Sequence, residues 1–152
     1  EYKEVLLDKL GYGEVKDRID FQQGDACNLK RQFTDYNVVF AGNLIDRLYD
    51  PALFLRKIED RIVPGGLLVL TSPYTWLEEY TDKSNWLGAK KVNGENFSTL
   101  DALKQQLSDS FAFEEALDVP FVIRETARKF QHSVAQMTLW RKHKDNSMKF
   151  YR

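Results

Sequence analysis

Asp50-Pro51-Ala52-Leu53-Phe54-Leu55-Arg56-Lys57-Ile58, followed by Pro64-Gly65-Gly66-Leu67-Leu68-Val69-Leu70, decides the fold. Asp50 is an N-cap type, and Pro51 suits the first helical position, where a missing N–H costs nothing. Phe54, Leu55, Ile58 and Ile62 then recur at helical spacing. Pro64-Gly65-Gly66 breaks that helix. Leu67 to Leu70 is the continuous apolar run expected of a strand covered on both faces in a parallel sheet. Just upstream, Tyr36-Asn37-Val38-Val39-Phe40-Ala41 reads as another buried strand. The unit is therefore strand, helix, strand with short loops, the signature of an α/β domain.

Outward from it the pattern continues. Tyr2 to Leu10 places Val5, Leu6 and Leu10 at helical spacing and stops at Gly11. Gly11-Tyr12-Gly13 reads as a C-cap and turn, since a phosphate loop has its glycines after a strand and before a helix. Ile19 to Gln23 alternates as a short strand and leads into Gly24-Asp25-Ala26-Cys27-Asn28-Leu29. Downstream, Ser98-Thr99-Leu100-Asp101 is a capping-box-like helix start with an apolar face at Leu100, Leu103, Leu107 and Phe111. Phe113 to Ala116 and Phe121 to Ile123 are strand-like. Ser133 to Arg141 alternates as a last strand, antiparallel to its predecessor. Residues 1–141 thus form one domain, and Lys142 to Arg152 is a polar tail.

Composition narrows the classes of partner. In 152 residues, 43% are hydrophobic and 30% charged, as in an ordinary globular domain able to bury a core. A net charge of −1 gives no electrostatic footprint for nucleic acid or an anionic membrane. The single Cys27 excludes an internal disulfide and cannot by itself hold a thiolate metal site, so no metal is expected and a reducing cytoplasm fits. No apolar run approaches the ~20 residues of a membrane span. The chain does not begin with Met, which gives the expectation that further sequence precedes it.

Four runs resemble one family: Gln22-Gln23-Gly24-Asp25-Ala26-Cys27-Asn28-Leu29; Asn43-Leu44-Ile45-Asp46-Arg47-Leu48-Tyr49-Asp50-Pro51; Thr71-Ser72-Pro73-Tyr74-Thr75-Trp76-Leu77-Glu78-Glu79; and Asp118 through His132. In that order they look like the C-terminal methyltransferase domain of the ovothiol biosynthesis enzymes, the 5-histidylcysteine sulfoxide synthases, over about residues 12 to 141. The resemblance implies a Rossmann-like class I methyltransferase sheet, mostly parallel with an antiparallel last strand, that uses S-adenosylmethionine. It further implies transfer of methyl to an imidazole ring nitrogen of 5-thiohistidine (4-mercaptohistidine). One departure is large: the glycine-rich loop after the first strand, and the acidic residue after the second, are not in this sequence. In the family's strand order 3-2-1-4-5-7-6, the Ile19 to Gln23 strand would not touch the Tyr36 to Ala41 strand. The expectation is therefore an amino-terminal part of the same polypeptide as partner, with unpaired strand edges and a half-open, inactive cofactor site in this chain alone.

By the same resemblance, Asp25 and Ala26 contact the adenine, the alternative being a plain turn. Asn43 faces the methyl donor and the acceptor, or else caps the strand end. Asp46 and Arg47 form a rim ion pair, or Arg47 points inward, where its planar fork suits the carboxylate of an amino-acid substrate. Tyr74, Trp76 and Trp86 wall an acceptor pocket, or pack as core beneath a long loop. Arg124, Arg128 and His132 recognise the acceptor, or lie on a solvated hairpin. Histidine-type rings are largely neutral near pH 7, so alignment matters most, and His132 or Tyr74 need only take the second ring proton. Two other classes stay open: a non-catalytic α/β docking module, and a methyltransferase for a different small acceptor.

Overall fold

A computed structural model describes residues 4–144. In chain order it has β1 (Tyr36–Gly42), α1 (Pro51–Ile58), β2 (Ile62–Ser72), the short pair β3 (Lys90–Val92) and β4 (Glu95–Phe97), α2 (Thr99–Leu107), β5 (Phe111–Arg124) and β6 (Phe130–Lys142). The main sheet runs β1-β2-β6-β5. β1 and β2 are parallel, joined through α1, while β6 runs antiparallel to both β2 and β5. The sheet is thus mixed, with an antiparallel last strand as expected and, among the described residues, its parallel pairing between β1 and β2.

The caps work as their chemistry dictates. The Asp50 carboxylate accepts from Leu53 N at 2.8 Å ahead of Pro51. Ser98 and Asp101 close a full capping box at the start of α2, Ser98 Oγ accepting from Asp101 N and Asp101 accepting from Ser98 N. Phe54, Leu55 and Ile58 of α1 join Leu103 and Leu107 of α2 in one core cluster with Leu68, Leu70, Phe111 and Trp140. Both helices therefore lie on the same face of the sheet.

Cross-strand register separates the two faces. Val39, Leu68 and Trp140 are partners across three strands, as are Ala41, Leu70 and Thr138, and this face is buried. The neighbouring rows, Val38 with Leu67 and Phe40 with Val69 and Leu139, point the other way. Val38 is 57% and Phe40 64% exposed. Leu67 to Leu70 is therefore covered on one face only, which corrects the expectation of a strand buried on both. Among the described residues β1 also has no partner on its outer edge.

Several boundaries differ from the sequence reading. Ile19 to Gln23 forms no strand, because an extended segment without a ladder partner leaves its backbone groups to water. Of the expected first helix, Tyr2 and Lys3 lie outside the described residues, and the rest holds a 3-10 turn, Leu7–Leu10, with Val5, Leu6 and Leu10 exposed; Gly11 still ends it, with φ 80°. Pro64-Gly65-Gly66 lies inside β2 rather than ending α1, which closes earlier through a 3-10 turn at Glu59–Arg61. Gly66 is required there, because a Cβ would stand 3.0 Å from the carbonyl oxygen of Asn37 on β1. Phe113 to Ala116 and Phe121 to Ile123 belong to one continuous strand with a bulge between Phe113 and Glu115, and Phe111 begins that strand instead of closing the face of α2. Lys142 ends β6; the rest of the expected tail beyond Lys144 lies outside the described residues.

Candidate functional site

The carboxyl ends of the parallel pair β1 and β2 lie side by side as two lips, at the edge where open α/β sheets collect ligands. Asn43 leaves β1 in the left-handed region, φ 50°, and donates its backbone N–H to the carbonyl of Thr71 at 2.8 Å. Its side-chain oxygen accepts from Thr71 Oγ1 at 3.2 Å. Tyr74 leaves β2 in the same region, φ 54°, with its N–H on Ser72 Oγ. Two non-glycine residues at positive φ thus follow the two strand ends, each held by hydrogen bonds to a strand-end residue.

Asp46 and Arg47, in the 3-10 turn after β1, tie these lips together. Asp46 is 1% exposed, and its Oδ2 accepts from Thr75 N and from Arg47 Nη1, both at 3.0 Å. Arg47 Nη1 also donates to the Thr75 carbonyl at 2.8 Å, and its guanidinium lies 5.1 Å from the Tyr80 ring centre. The ion pair is real, but its acid is in the interior, not on the rim. Asp46 Oδ1 is buried with no hydrogen-bond partner.

Tyr74 Oη donates to Gln136 Oε1 of β6 at 2.9 Å. Burial first, and the Asp46 charge second, push its phenol up to about 12. At neutral pH Tyr74 is therefore a protonated hydrogen-bonding group, not a base.

The Asp25 turn precedes β1 in the chain and packs beside Tyr49 and Asp50, at the start of α1. Asp25 is exposed; its Oδ1 accepts from Cys27 N at 2.9 Å, and its Oδ2 accepts from Tyr49 Oη at 3.0 Å. That bond to Asp25 is the main reason the Tyr49 phenol is pushed up to about 12. Ala26 is half-buried against the core. Cys27 is fully buried, its thiol donating to the Asp50 carbonyl, and burial pushes that thiol up. Arg61 gathers the carbonyls of Leu29, Lys30, Arg31 and Phe33, which staples this loop to the end of α1.

The structure places Asn43, Arg47 and Tyr74 just beyond the carboxyl ends of β1 and β2 and leaves other candidates elsewhere. Trp76 is 7% exposed, donates its indole N–H to Thr99 Oγ1 and stacks on Trp86 at 6.5 Å. It is core beneath the loop, which corrects its assignment to the pocket wall. Trp86 donates to the Thr81 carbonyl. Arg124, Arg128 and His132 are exposed near the tip of the β5–β6 hairpin. β2 pairs with β6 only as far as Gln136, so His132 stands four residues, roughly 13 Å, beyond it. Arg124 bonds locally to the Thr126 carbonyl, and His143 faces the Ser108 carbonyl. A cavity of about 460 Å³ lies at the opposite end of β1, between Arg18, Asp20, Phe33, Tyr36 and Arg61.

Sequence reasoning missed Tyr49, Gln136 and the burial of Asp46. Only the last had a signal: an acid enclosed by the apolar run Leu44-Ile45 and Leu48.

Set against known proteins, the chain matches no family model and no curated protein. It is similar in fold to solved structures. One, described as the conversion of a disulfide bond into a thioacetal group during echinomycin biosynthesis, aligns with TM-score 0.59 at 15% identity over 93% of this chain and 61% of that one. A SAM-dependent methyltransferase from Methanosarcina mazei aligns with TM-score 0.55 at 18% identity over 83% and 68%. The [4+2]-cyclase SpnF aligns with TM-score 0.54 at 14% identity over 90% and 61%. The chain thus spans about three fifths of the first and third of these. The fold is the Rossmann-like sheet of the SAM-dependent methyltransferases.

Proposed function

We propose that this chain is part of an S-adenosylmethionine-dependent methyltransferase that acts on an imidazole ring nitrogen of 5-thiohistidine in ovothiol biosynthesis, in the cytoplasm. The observation that carries methyl transfer is the sheet order β1-β2-β6-β5 with hydrogen-bonded lips at the ends of β1 and β2, a fold similar to that of the Methanosarcina mazei methyltransferase. The acceptor rests on the four runs of sequence quoted above. S-adenosylmethionine, when bound, supplies an activated methyl group. Asn43 lies at the lip where donor and acceptor would meet. Arg47 holds the acceptor carboxylate, and Tyr74, protonated at neutral pH, hydrogen-bonds the ring. Asp25 would take the adenine amino group on Oδ2, in exchange for or beside the Tyr49 hydroxyl, while the backbone near Ala26 meets the ring. His132, Arg124 and Arg128 would need the hairpin to fold over the strand ends, and Tyr74, being protonated, serves as a hydrogen-bonding group and not as the acceptor of the ring proton.

The free edge of β1 and the apolar open face support a preceding part of the same polypeptide as partner, without which the cofactor binds weakly. They equally favour a second reading, a docking module without catalysis. SpnF, a cyclase of similar fold, is a reminder that the sheet does not fix the reaction.

The test is mass spectrometry of the chain joined to the remainder of its polypeptide, supplied with isotopically labelled S-adenosylmethionine and 5-thiohistidine. Methyl on a ring nitrogen is expected. Methyl on sulfur or on the α-amine overturns the regiochemistry, and no transfer favours the docking module.

A further inference from the structure

We propose that Asp46 is a positioning residue, which locks Arg47 through one guanidinium nitrogen so that the other edge of the fork is presented to a carboxylate at the strand ends. This rests on the reading of Arg47 as the acceptor's carboxylate partner. Arg47 directs its protein hydrogen bonds through Nη1 alone: to the Asp46 carboxylate, to the Asp46 carbonyl at 2.8 Å and to the Thr75 carbonyl at 2.8 Å. Nη2 and Nε make no protein hydrogen bond among the described residues, and the side chain is 35% exposed. A guanidinium is planar, so fixing one terminal nitrogen on three acceptors fixes the plane of the rest.

The acid that does this is itself immobile. Asp46 is buried, held by Thr75 N from the opposite lip, and preceded by Ile45, which is fully buried. One carboxylate therefore sets both the spacing of the two lips and the direction of the arginine. The Tyr80 ring against the guanidinium guards one flank of it. What remains open is the edge that matches a carboxylate bidentately.

Electrostatics and positioning predict opposite signs, which makes the inference testable. Neutralising Asp46 removes a negative charge beside Arg47, so a purely electrostatic role predicts tighter anion binding in Asp46→Asn. Positioning predicts weaker binding, because an amide oxygen in place of Oδ2 keeps the Thr75 N–H but offers Nη1 an uncharged acceptor, which loosens the lock. The probe is sodium acetate, titrated against equal ionic strength of sodium chloride and followed by the Arg47 Nε–H signal in nitrogen-15 NMR of the full chain. A saturable shift is expected in the wild type, weakened fivefold or more in Asp46→Asn and in Arg47→Lys, which keeps the charge but not the fork. Equal or tighter acetate binding by Asp46→Asn, or no saturable shift in the wild type, overturns the proposal. Should Asp46→Asn fail to fold, the wild type alone decides: slow rotation about Cζ–Nη1 of Arg47 supports the lock, and free rotation overturns it. No methyl donor enters these measurements, so failure of the methyltransferase reading shows itself separately, as acetate binding without methyl transfer.

Discussion

The two faces of the sheet carry the same kinds of residue and meet opposite fates. On one, Leu68, Leu70, Thr138 and Trp140 are 1% exposed or less beneath α1 and α2. On the other, Val38 and Phe40 are more than half exposed, and Leu117, which pairs with Met137, is 41% exposed. An apolar row in a strand therefore states that a face is suited to burial; it does not state what buries it. The difference lies in the connections. α1 links β1 to β2 and α2 leads into β5, and both return over the same side, so this chain closes its own core there and leaves the other face without a second layer among the described residues.

The comparison breaks most sharply through paired truncations. Trp140 is sealed in the core, tilted against Phe113 at 5.0 Å and bonded to Thr138 Oγ1. Trp140→Ala should cost about 3–5 kcal/mol of stability. Phe40→Ala, on the open face, should change it by no more than about 0.5 kcal/mol. Urea unfolding of both variants measures this, and equal costs would mean that the open face is packed after all.

A second, smaller effect tests the rim of the covered face, where Tyr74 reaches Gln136. Its phenol is raised from 10 to about 12 in the folded chain, so the folded state holds this proton more tightly than the unfolded state does. The resulting stabilisation is fully present below pH 10 and is lost as pH rises towards 12. Its size is on the order of 2 kcal/mol. Between pH 9 and 12 the unfolding free energy should fall further in the wild type than in Tyr74→Phe, since Tyr49, raised likewise, titrates in both. Parallel curves would show that Tyr74 titrates as an exposed phenol.

These contrasts mark how far the sequence could be read. α1, the capping box of α2, the strand at Tyr36 and the antiparallel pairing of β6 were legible because each is encoded locally, by caps, spacing and alternation. Ile19 to Gln23 was misread because a strand is a relation between two segments, and its pattern was present without its partner. Arg47 and Tyr74 were found at the site because their runs follow strand ends. Trp76 was misplaced because an aromatic residue just beyond a strand has the same sequence appearance whether it turns into a pocket or under a loop. Asp46 looked like half of a surface ion pair; only the tertiary contact with Thr75 shows that it is interior.

The smallest expected effect concerns the segment before β1, and asks whether it holds its shape beside the covered face. There Asp25 caps a three-residue turn, Ala26–Asn28, and binds the Tyr49 hydroxyl across to the start of α1. Losing a cap on so short and exposed a turn should cost about 1 kcal/mol or less. Asp25→Ala should therefore leave the unfolding midpoint nearly unchanged, because Cys27 and the Arg61 carbonyl cluster still staple the loop. The Tyr49 phenol reports the change instead. Its upward displacement to about 12 comes first from the hydrogen bond to Asp25, so in Asp25→Ala one tyrosine should titrate back towards 10 in the tyrosinate absorbance, against a Tyr49→Phe control in which that tyrosine is absent. A titration identical to wild type would mean that Asp25 and Tyr49 are apart in solution.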